Sequence, residues 1–269
     1  MKRTPAVLLT SVLALGLAAQ SRSTMDHVEE SFEPQLSVRP ETIYMRAFYS
    51  GAVLHIEGRV REGSEAIVII RGPHDKELFN KKVRYGPIWI SSGKVEISRA
   101  PSLFFAFPSR RVDSFLPREV IDDYELDETA VRDRMRVHAF GEEVDQALMR
   151  RHFFNLKRQE GLYETFDGVL ELKPAGDGAS TFAFDFHWPK TAPPQTYEIE
   201  LYECREGQVV GEAGRSLKLV LTGFPGFVHN LAMQKARWYG LFAVLFAISF
   251  GLGIDFLARK IFGRSARAH

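Results

Sequence analysis

The chain has 269 residues, of which 45% are hydrophobic and 26% charged, and this ordinary composition excludes a wholly disordered protein. Its formal charge is +1, but six of the 35 basic residues lie at the two ends. Without these six and Asp255, 29 basic and 33 acidic residues remain, so the part between has a net charge near −4, which excludes a basic surface for nucleic acid. A single cysteine, Cys204, excludes a disulfide framework within the chain.

The first 20 residues have the order of a secretory signal peptide. Lys2 and Arg3 precede an apolar run over 6–19, which is too short to span a membrane comfortably. Small residues close this run, and cleavage is expected between Ala18 and Gln20. The alternative is an uncleaved anchor, which would give a two-span protein with the same outer domain. An acidic leader, residues 21–35, follows.

Residues 36–116 are predicted to form a β-sandwich domain of immunoglobulin-like architecture, because about seven short strands recur at the spacing typical of such folds. A run that is apolar on both faces, residues 67–70, predicts a central strand. Ser92-Gly93 is interpreted as a turn between two of the strands. The predicted strands cover 41–49, 53–60, 66–71, 78–85, 88–90, 95–98 and 103–107.

Residues 117–160 are charged and carry apolar residues at helical spacing, which predicts a helical segment. Asp127 is expected to cap a helix that begins near Glu128, and a second helix is expected over 142–159. Two interpretations stay open. The segment is either a protruding arm that binds a partner or a packed crossover between two β regions.

Residues 161–223 return to strand patterns and are predicted to form a second, small β unit. Aromatic or aliphatic residues alternate with polar ones over 182–188, 197–202 and 217–222, which is typical of strands with one solvated face. Tyr202 falls on the solvated face of its strand. Cys204, at the end of that strand, is expected to be a half-buried structural thiol.

A juxtamembrane linker, residues 224–237, leads to an apolar run over 238–258. About 21 residues form a helix of roughly 31 Å, which matches the hydrocarbon thickness of a bilayer. The following tail, residues 259–269, is basic and is therefore expected in the cytoplasm, with the β-rich part in the periplasm or outside the cell. The expected interface anchors are Lys235, Arg237, Trp238, Tyr239, Arg259 and Lys260.

Small residues and one acid recur every four residues along this predicted transmembrane helix, at Ala243, Ala247, Gly251 and Asp255. Such a stripe lets a second helix approach closely, and an acid near the end of a span usually faces protein or water. Asp255 can also pair with Arg259 one turn on. The alternative is a plain anchor.

Motifs for nucleophilic, phosphate-binding or zinc chemistry are not found in the sequence. The eight histidines are scattered, and acid pairs such as Asp122-Asp123 diverge on a helix, so we interpret both as solvated groups. No catalytic residue, metal ligand or cofactor is predicted. Arg71-Gly72-Pro73 is interpreted either as an anion-binding turn or, more simply, as the end of a strand.

A set of segments carries a resemblance to a known family: 48–52, Gly58, 67–73, 81–83, 86–90, 101–104, 197–203, Gly223, Ala232 and 239–241. In these segments the chain resembles a family called "Putative transmembrane protein", which is known mainly from alphaproteobacteria. The resemblance implies a signal peptide, an outer domain and one C-terminal span, and it marks Arg71, Gly72, Pro73 and Trp89 as a candidate surface motif. Members are often encoded beside sulfite-exporter-type permeases, which implies a permease partner by association. The family has no established activity.

The expected function is therefore that of a single-pass, non-enzymatic protein of the bacterial inner membrane, whose periplasmic domain binds or assembles with a membrane protein. Self-association through the helix is included in this expectation. A periplasmic ligand sensor is an alternative, although the tail of about 11 residues is short for an output module. A membrane-tethered hydrolase or metal enzyme is a third, and it would require histidines and acids to converge in one pocket.

Overall fold

The computed structural model describes residues 32–46, 48–141, 143–223, 232–233 and 236–262. The predicted signal peptide, all but the end of the leader, most of the linker and the last seven residues lie outside these ranges. The strands are β1 Gln35–Arg39, β2 Thr42–Met45, β3 Ala52–Arg61, β4 Glu65–Arg71, β5 His74–Tyr85, β6 Ile88–Pro101, β7 Phe104–Pro108, β8 Arg136–Gly141, β9 Tyr163–Thr165, β10 Lys173–Pro174, β11 Ala179–Trp188, β12 Thr196–Arg205 and β13 Gln208–Leu221. The helices are α1 Arg118–Tyr124, α2 Glu128–Arg134, α3 Gln146–Gln159 and α4 Ala236–Phe262, with a 3₁₀ turn at Val112–Ser114.

The fold is mainly β, and its strands form three sheets. One sheet has the order β1-β3-β11-β10, the second β2-β13-β12-β4-β7-β9, and the third β5-β6-β8. The first two sheets pack face to face through aromatic side chains: Phe107 of β7 lies 5.1 Å from Phe186 of β11 between ring centroids, and Trp188 lies 4.7 Å from Tyr197. The prediction of a mainly β protein is confirmed, whereas its immunoglobulin-like detail stays a prediction.

Strands from both β regions of the sequence share the two packed sheets. β11 pairs with β3 along its full length, and β12 pairs with β4. The predicted sandwich (36–116) and second β unit (161–223) therefore do not form separate sheets, because each supplies strands that the other needs to bury its apolar face. β4 lies between β12 and β7, and its residues 66–70 are fully buried, which confirms a central strand.

Some boundaries differ from those expected. The strand expected over 41–49 is shorter, and β1 precedes it. Ser92-Gly93 is not a turn, because Gly93 pairs with Lys81 on one side and with Gly141 on the other, so β6 runs without interruption. A bulge at Lys81/Lys82 absorbs the irregularity instead.

The charged segment 117–160 is a packed insertion, as the crossover interpretation required, and it is not wholly helical. The Asp127 carboxylate accepts a 2.7 Å hydrogen bond from the Ala130 amide, which confirms the predicted cap of α2. Strand β8 follows α2 directly and pairs with β6, because a free edge there offers its backbone hydrogen bonds. The second helix begins at Gln146, four residues later than expected, where the Asp145 carboxylate accepts from the Leu148 amide.

Helix α3 packs against the three-stranded sheet and the edge of the sandwich. Phe153 lies 5.7 Å from Phe79 of β5, and Phe154 lies 5.0 Å from Tyr163 of β9. The ammonium of Lys157, which is buried, pairs with the Glu77 carboxylate at 2.6 Å. Aromatic packing and one buried ion pair therefore hold the insertion in place.

We expect Phe107→Ala to lower the free energy of unfolding by about 3–5 kcal/mol, because the ring is buried among Phe166, Phe184 and Phe186 and its removal leaves a cavity. The measurement is chemical denaturation of the full chain in detergent, followed by near-ultraviolet circular dichroism. Phe48→Ala is the matched control, because the Phe48 side chain is 99% exposed. Equal stability of the two variants would contradict the sandwich packing.

Candidate functional sites: the apolar C-terminal helix and the Arg71 corner

Helix α4 contains a stretch that is long and apolar enough to cross a membrane. Over Gly240–Arg259 the mean hydropathy is 2.2, and no part of this stretch is buried within the described residues. Its large apolar side chains are all exposed, from Leu241 to Leu257. An apolar surface of this length requires lipid or protein around it. The predicted span over 238–258 agrees with this stretch within two residues.

The stripe of small residues on α4 is uncovered by the described part of the chain. Ala243, Ala247, Gly251 and Asp255 are all exposed, and a Cβ added at Gly251 would meet nothing within 4 Å. Asp255 forms the expected ion pair with Arg259, at 2.9 Å between Oδ2 and Nε. The backbone at Gly251 is therefore open to close approach by another helix, and the only acid of the stretch is neutralised by its neighbour one turn on.

The predicted interface anchors lie at the two ends of α4, apart from Lys235, which is outside the described residues. Arg237, Trp238 and Tyr239 belong to the first turn of the helix, and Arg259 and Lys260 belong to its last turn. This placement is where aromatic and basic side chains occur in membrane-spanning helices.

The Arg71 side chain makes its polar contacts with other residues of the fold. Its side chain is only 15% exposed, and its guanidinium forms an ion pair with Glu200 of β12 at 3.0 Å. It also donates hydrogen bonds to the main-chain carbonyls of Tyr124, at 2.5 Å, and Glu125, at 3.0 Å. These carbonyls end helix α1, where the backbone amides no longer supply partners and the helix dipole favours a cation.

Gly72 and Pro73 form a tight connection between β4 and β5. The Gly72 amide donates to the Leu103 carbonyl, and the Pro73 carbonyl accepts from the Ser102 amide, both at 2.9 Å. A Cβ at Gly72 would lie 2.0 Å from the Ser102 hydroxyl, so only glycine fits. β4 ends at Arg71, the Gly72 amide is already bound to a carbonyl, and the Arg71 guanidinium contacts three oxygen atoms, which favours the strand-end interpretation over the anion-binding turn.

Trp89 does not lie near the Gly72-Pro73 connection. It lies near the start of β6, where its backbone pairs with Arg84, whereas the Pro73 end of the same hairpin pairs His74 with Pro101. The four residues marked by the family resemblance therefore stand at opposite ends of the β5–β6 ladder and do not form one surface motif.

The titratable groups considered for catalysis do not converge. His55 and Asp185 form a 2.5 Å cross-strand pair on the outer face of the first sheet, where both are more than half exposed. Asp122 and Asp123 diverge as expected and pair with Arg118 and Arg134 respectively. Among the described residues no group of three His, Cys, Asp or Glu side chains is arranged to hold a metal ion.

Cys204 is more deeply buried than expected. Burial, and to a lesser extent the nearby carboxylates of Glu203 and Glu65, raise the pKa of its thiol to about 12. The reactive thiolate is therefore almost absent at neutral pH in the folded protein. Glu203 itself is buried and accepts hydrogen bonds from the Ser64 hydroxyl, at 2.7 Å, and from the Arg61 amide.

Two features of the structure, the burial of Tyr202 and an apolar cavity, were not predicted from the sequence. Tyr202 was expected on a solvated face, but α1 covers it, and its ring lies 5.7 Å from that of Tyr124.

A cavity of about 230 Å³ lies between α3 and the β5–β6 sheet. The residues that line it are Phe79, Asn80, Val95, Ile97, Met149, His152, Phe153 and Leu156. The spacing of Met149, Phe153 and Leu156 along one helix face was the signal that could have indicated this apolar lining.

Comparison with known families gives one family model, described as "Putative transmembrane protein (Alph_Pro_TM)", which matches residues 33–260. This match covers most of the two-sheet sandwich, the insertion and nearly all of α4. No curated protein and no solved structure matches the chain.

We expect Arg71→Lys to destabilise the protein by about 1–3 kcal/mol, because a lysine ammonium cannot reach Glu200 and both α1 carbonyls in the planar geometry of a guanidinium. Hydrogen exchange in α1, measured alongside the unfolding midpoint, should accelerate more than exchange in β11. Arg111→Lys is the control, since the Arg111 side chain is exposed and forms an ion pair with the nearby Asp113. If the Arg71→Lys protein is as stable as this control, the contacts of Arg71 with Glu200 and with the end of α1 do not contribute to stability as proposed.

Proposed function

Because the chain belongs to the family "Putative transmembrane protein (Alph_Pro_TM)", we propose that it is a single-pass membrane protein whose α4 holds a β-rich domain at the bilayer surface. The observation that carries this proposal is the exposure of every large apolar side chain along the 20-residue stretch of α4. In water this surface would remain hydrated, whereas in lipid it is solvated by hydrocarbon.

The energetics of insertion favour this arrangement. Eleven Leu, Ile, Phe and Val residues lie within 240–259, and at roughly 0.3–0.6 kcal/mol each they supply about 3–7 kcal/mol. A central Asp would cost about 3 kcal/mol, but Asp255 lies near the end of the stretch and is paired with Arg259. The apolar residues therefore outweigh the acid.

We place the β-rich domain in the periplasm and the tail in the cytoplasm, at the inner membrane. The support is the cluster of Arg259, Lys260, Arg264 and Arg267 directly after the span, together with the signal-like first 20 residues. The β-rich domain suits an oxidising compartment, because its single thiol is buried and unavailable for disulfide exchange.

The domain's role, in this proposal, is non-enzymatic binding or assembly with a membrane protein. Arg71 is bound to helix carbonyls, Cys204 is held as a buried thiol, and His55 and Asp185 pair on an open sheet face. The strongest candidates for chemistry thus have structural surroundings. The partner is a permease of the sulfite-exporter type by association, or a second copy of the chain, and it would contact the stripe on α4.

A ligand sensor is the second candidate function, and the cavity between α3 and the β5–β6 sheet is the observation that favours it. Its volume of about 230 Å³ would take a small apolar group.

The orientation can be tested by labelling with a membrane-impermeant maleimide. In intact spheroplasts we expect label at Ser216→Cys, an exposed position in β13, and none at Ser265→Cys in the tail. Both should label after lysis, because lysis opens the cytoplasmic side. The native Cys204, which is buried and has a raised pKa, should react only after unfolding and so serves as the internal control. Label at position 265 before lysis, with none at 216, would reverse the orientation.

The helix stripe can be tested by co-purification in mild detergent. We expect Gly251→Ile and Asp255→Leu to reduce the recovered membrane partner or self-dimer about fivefold, which corresponds to about 1 kcal/mol of lost helix packing. Gly253→Ile makes the same change on a different face of α4 and should leave recovery unchanged. If the wild type purifies alone, or if the three variants behave alike, the stripe is not an interface.

A further inference from the structure

One end of the sandwich lies next to Thr222 and Gly223, the residues that follow β13. Strands β2 and β13 run parallel, with Met45 opposite Leu221. Immediately beyond, the Thr222 amide donates to the Met45 carbonyl at 2.8 Å. Two parallel strands point the same way, so the loop after β2 and residues 222–223 emerge together.

A second loop lies at the same end. β11 finishes where Trp188 pairs with Ala52, the first residue of β3, and the Leu219 amide donates to the Gln195 carbonyl at 2.9 Å. We call the two loops, residues 46–51 and 189–195, the exit end; Ala47 lies outside the described residues. The turns at 62–64 and 206–207 lie at the other end of the same strands.

The exit end exposes aromatic side chains that the fold does not use. The Tyr49 amide donates to the Arg46 carbonyl at 3.1 Å and closes a turn, which leaves Phe48 at its tip with 99% of the side chain exposed. Tyr44 at 60% and Val220 at 40% continue this exposed surface on β2 and β13. A wholly exposed phenylalanine gains nothing from the fold and would gain from burial elsewhere.

The two loops of the exit end carry a net positive charge, although the Asp75 carboxylate of β5 interacts with Tyr197, whose hydroxyl donates to the Pro193 carbonyl. Arg46 and Lys190 are exposed, and neither loop contains an acidic residue, nor does the adjoining sequence 222–237. The part of the chain between its two termini is net acidic, so the net charge of these two loops is opposite in sign to that of the surrounding domain. Cations beside aromatic residues match the interfacial region of a bilayer that contains anionic lipids.

We propose that the exit end rests on the bilayer, with Phe48 inserted among the lipid headgroups and with Arg46 and Lys190 against anionic phosphates. The proposal rests on the membrane anchoring proposed above, and it makes the lipid surface at the exit end continuous with that around α4. The exit-end contact adds a constraint that the anchor lacks, because a domain held by α4 alone could change its orientation above the membrane. Lipid contact at a second point holds the domain upright, with the turns at 62–64 and 206–207 directed away.

The test places a single fluorescent probe on the full chain in vesicles of phosphatidylethanolamine and phosphatidylglycerol. The environment-sensitive dye NBD is attached to Phe48→Cys, with Glu62→Cys at the opposite end as the matched control; Cys204 stays unlabelled because it is buried. Lipids with headgroup-level spin labels quench only a probe within the interface. We expect the probe at 48 to lose most of its fluorescence and to shift to the blue, and the probe at 62 to do neither.

The cations are tested in the same assay by adding Arg46→Glu and Lys190→Glu to the Phe48→Cys chain. Both side chains are exposed, so the fold should tolerate the change, and we expect quenching at 48 to fall. Unchanged quenching overturns the role of the two cations. A probe at 48 that is unquenched by lipid, or quenched equally at 62, overturns the lipid contact, including the case in which another protein shields it.

Flotation after an alkaline wash separates the two hypotheses. A chain that floats with the vesicles while its position 48 remains unquenched retains the anchor and loses the exit-end contact. A chain that is washed off the vesicles overturns both.

Discussion

The apolar surface of α4 is the constraint on which the rest of the molecule depends. Its side chains are exposed to a degree that a water-soluble helix does not sustain, and the two-sheet sandwich closes its core without them. The part before α4 must therefore be stable by itself, with a single cysteine and no possibility of an internal disulfide. Its stability comes mainly from burial, in a core that contains the aromatic contacts of β7 with β11.

That demand explains why the two β regions of the chain are interleaved. A unit of about 60 residues buries too little apolar surface to be comfortably stable, and β11 to β13 find the missing surface on β3 and β4. Their pairing also has a positional consequence. The last strand closes against β2, so β13 ends beside the loop that follows Met45.

The charged insertion braces this arrangement. Arg71 holds the end of α1 over the outer face of β12, and the buried Lys157 holds α3 to Glu77 on β5. A buried ion pair costs desolvation and is destabilising when one member is removed. These charges are consequently parts of the scaffold, and the surfaces left for binding are elsewhere: the stripe on α4, the cavity beside α3 and the exit end.

The sequence alone determined the features that depend on local pattern. A mostly apolar run of about 21 residues with one charge, Asp255, predicts a lipid-solvated helix whatever the rest of the chain does, and alternation along β11 and β12 predicted strands with one buried face. The Asp127 cap and the Asp255–Arg259 pair followed from spacings of three and four residues, and both are confirmed. The family resemblance, too, rested on short segments and is supported by the match over 33–260.

Only the tertiary structure decided what depends on partners distant in the chain. Residues 136–141 form a strand because β6 offers a free edge, and Tyr202 is buried because α1 lies over it. The position of Phe48 near Thr222, just after β13, follows from a pairing between residues 177 apart. A hydrogen-bond ladder is selected by competition among all available edges, and an alternating pattern specifies a buried face without specifying which strand will cover it.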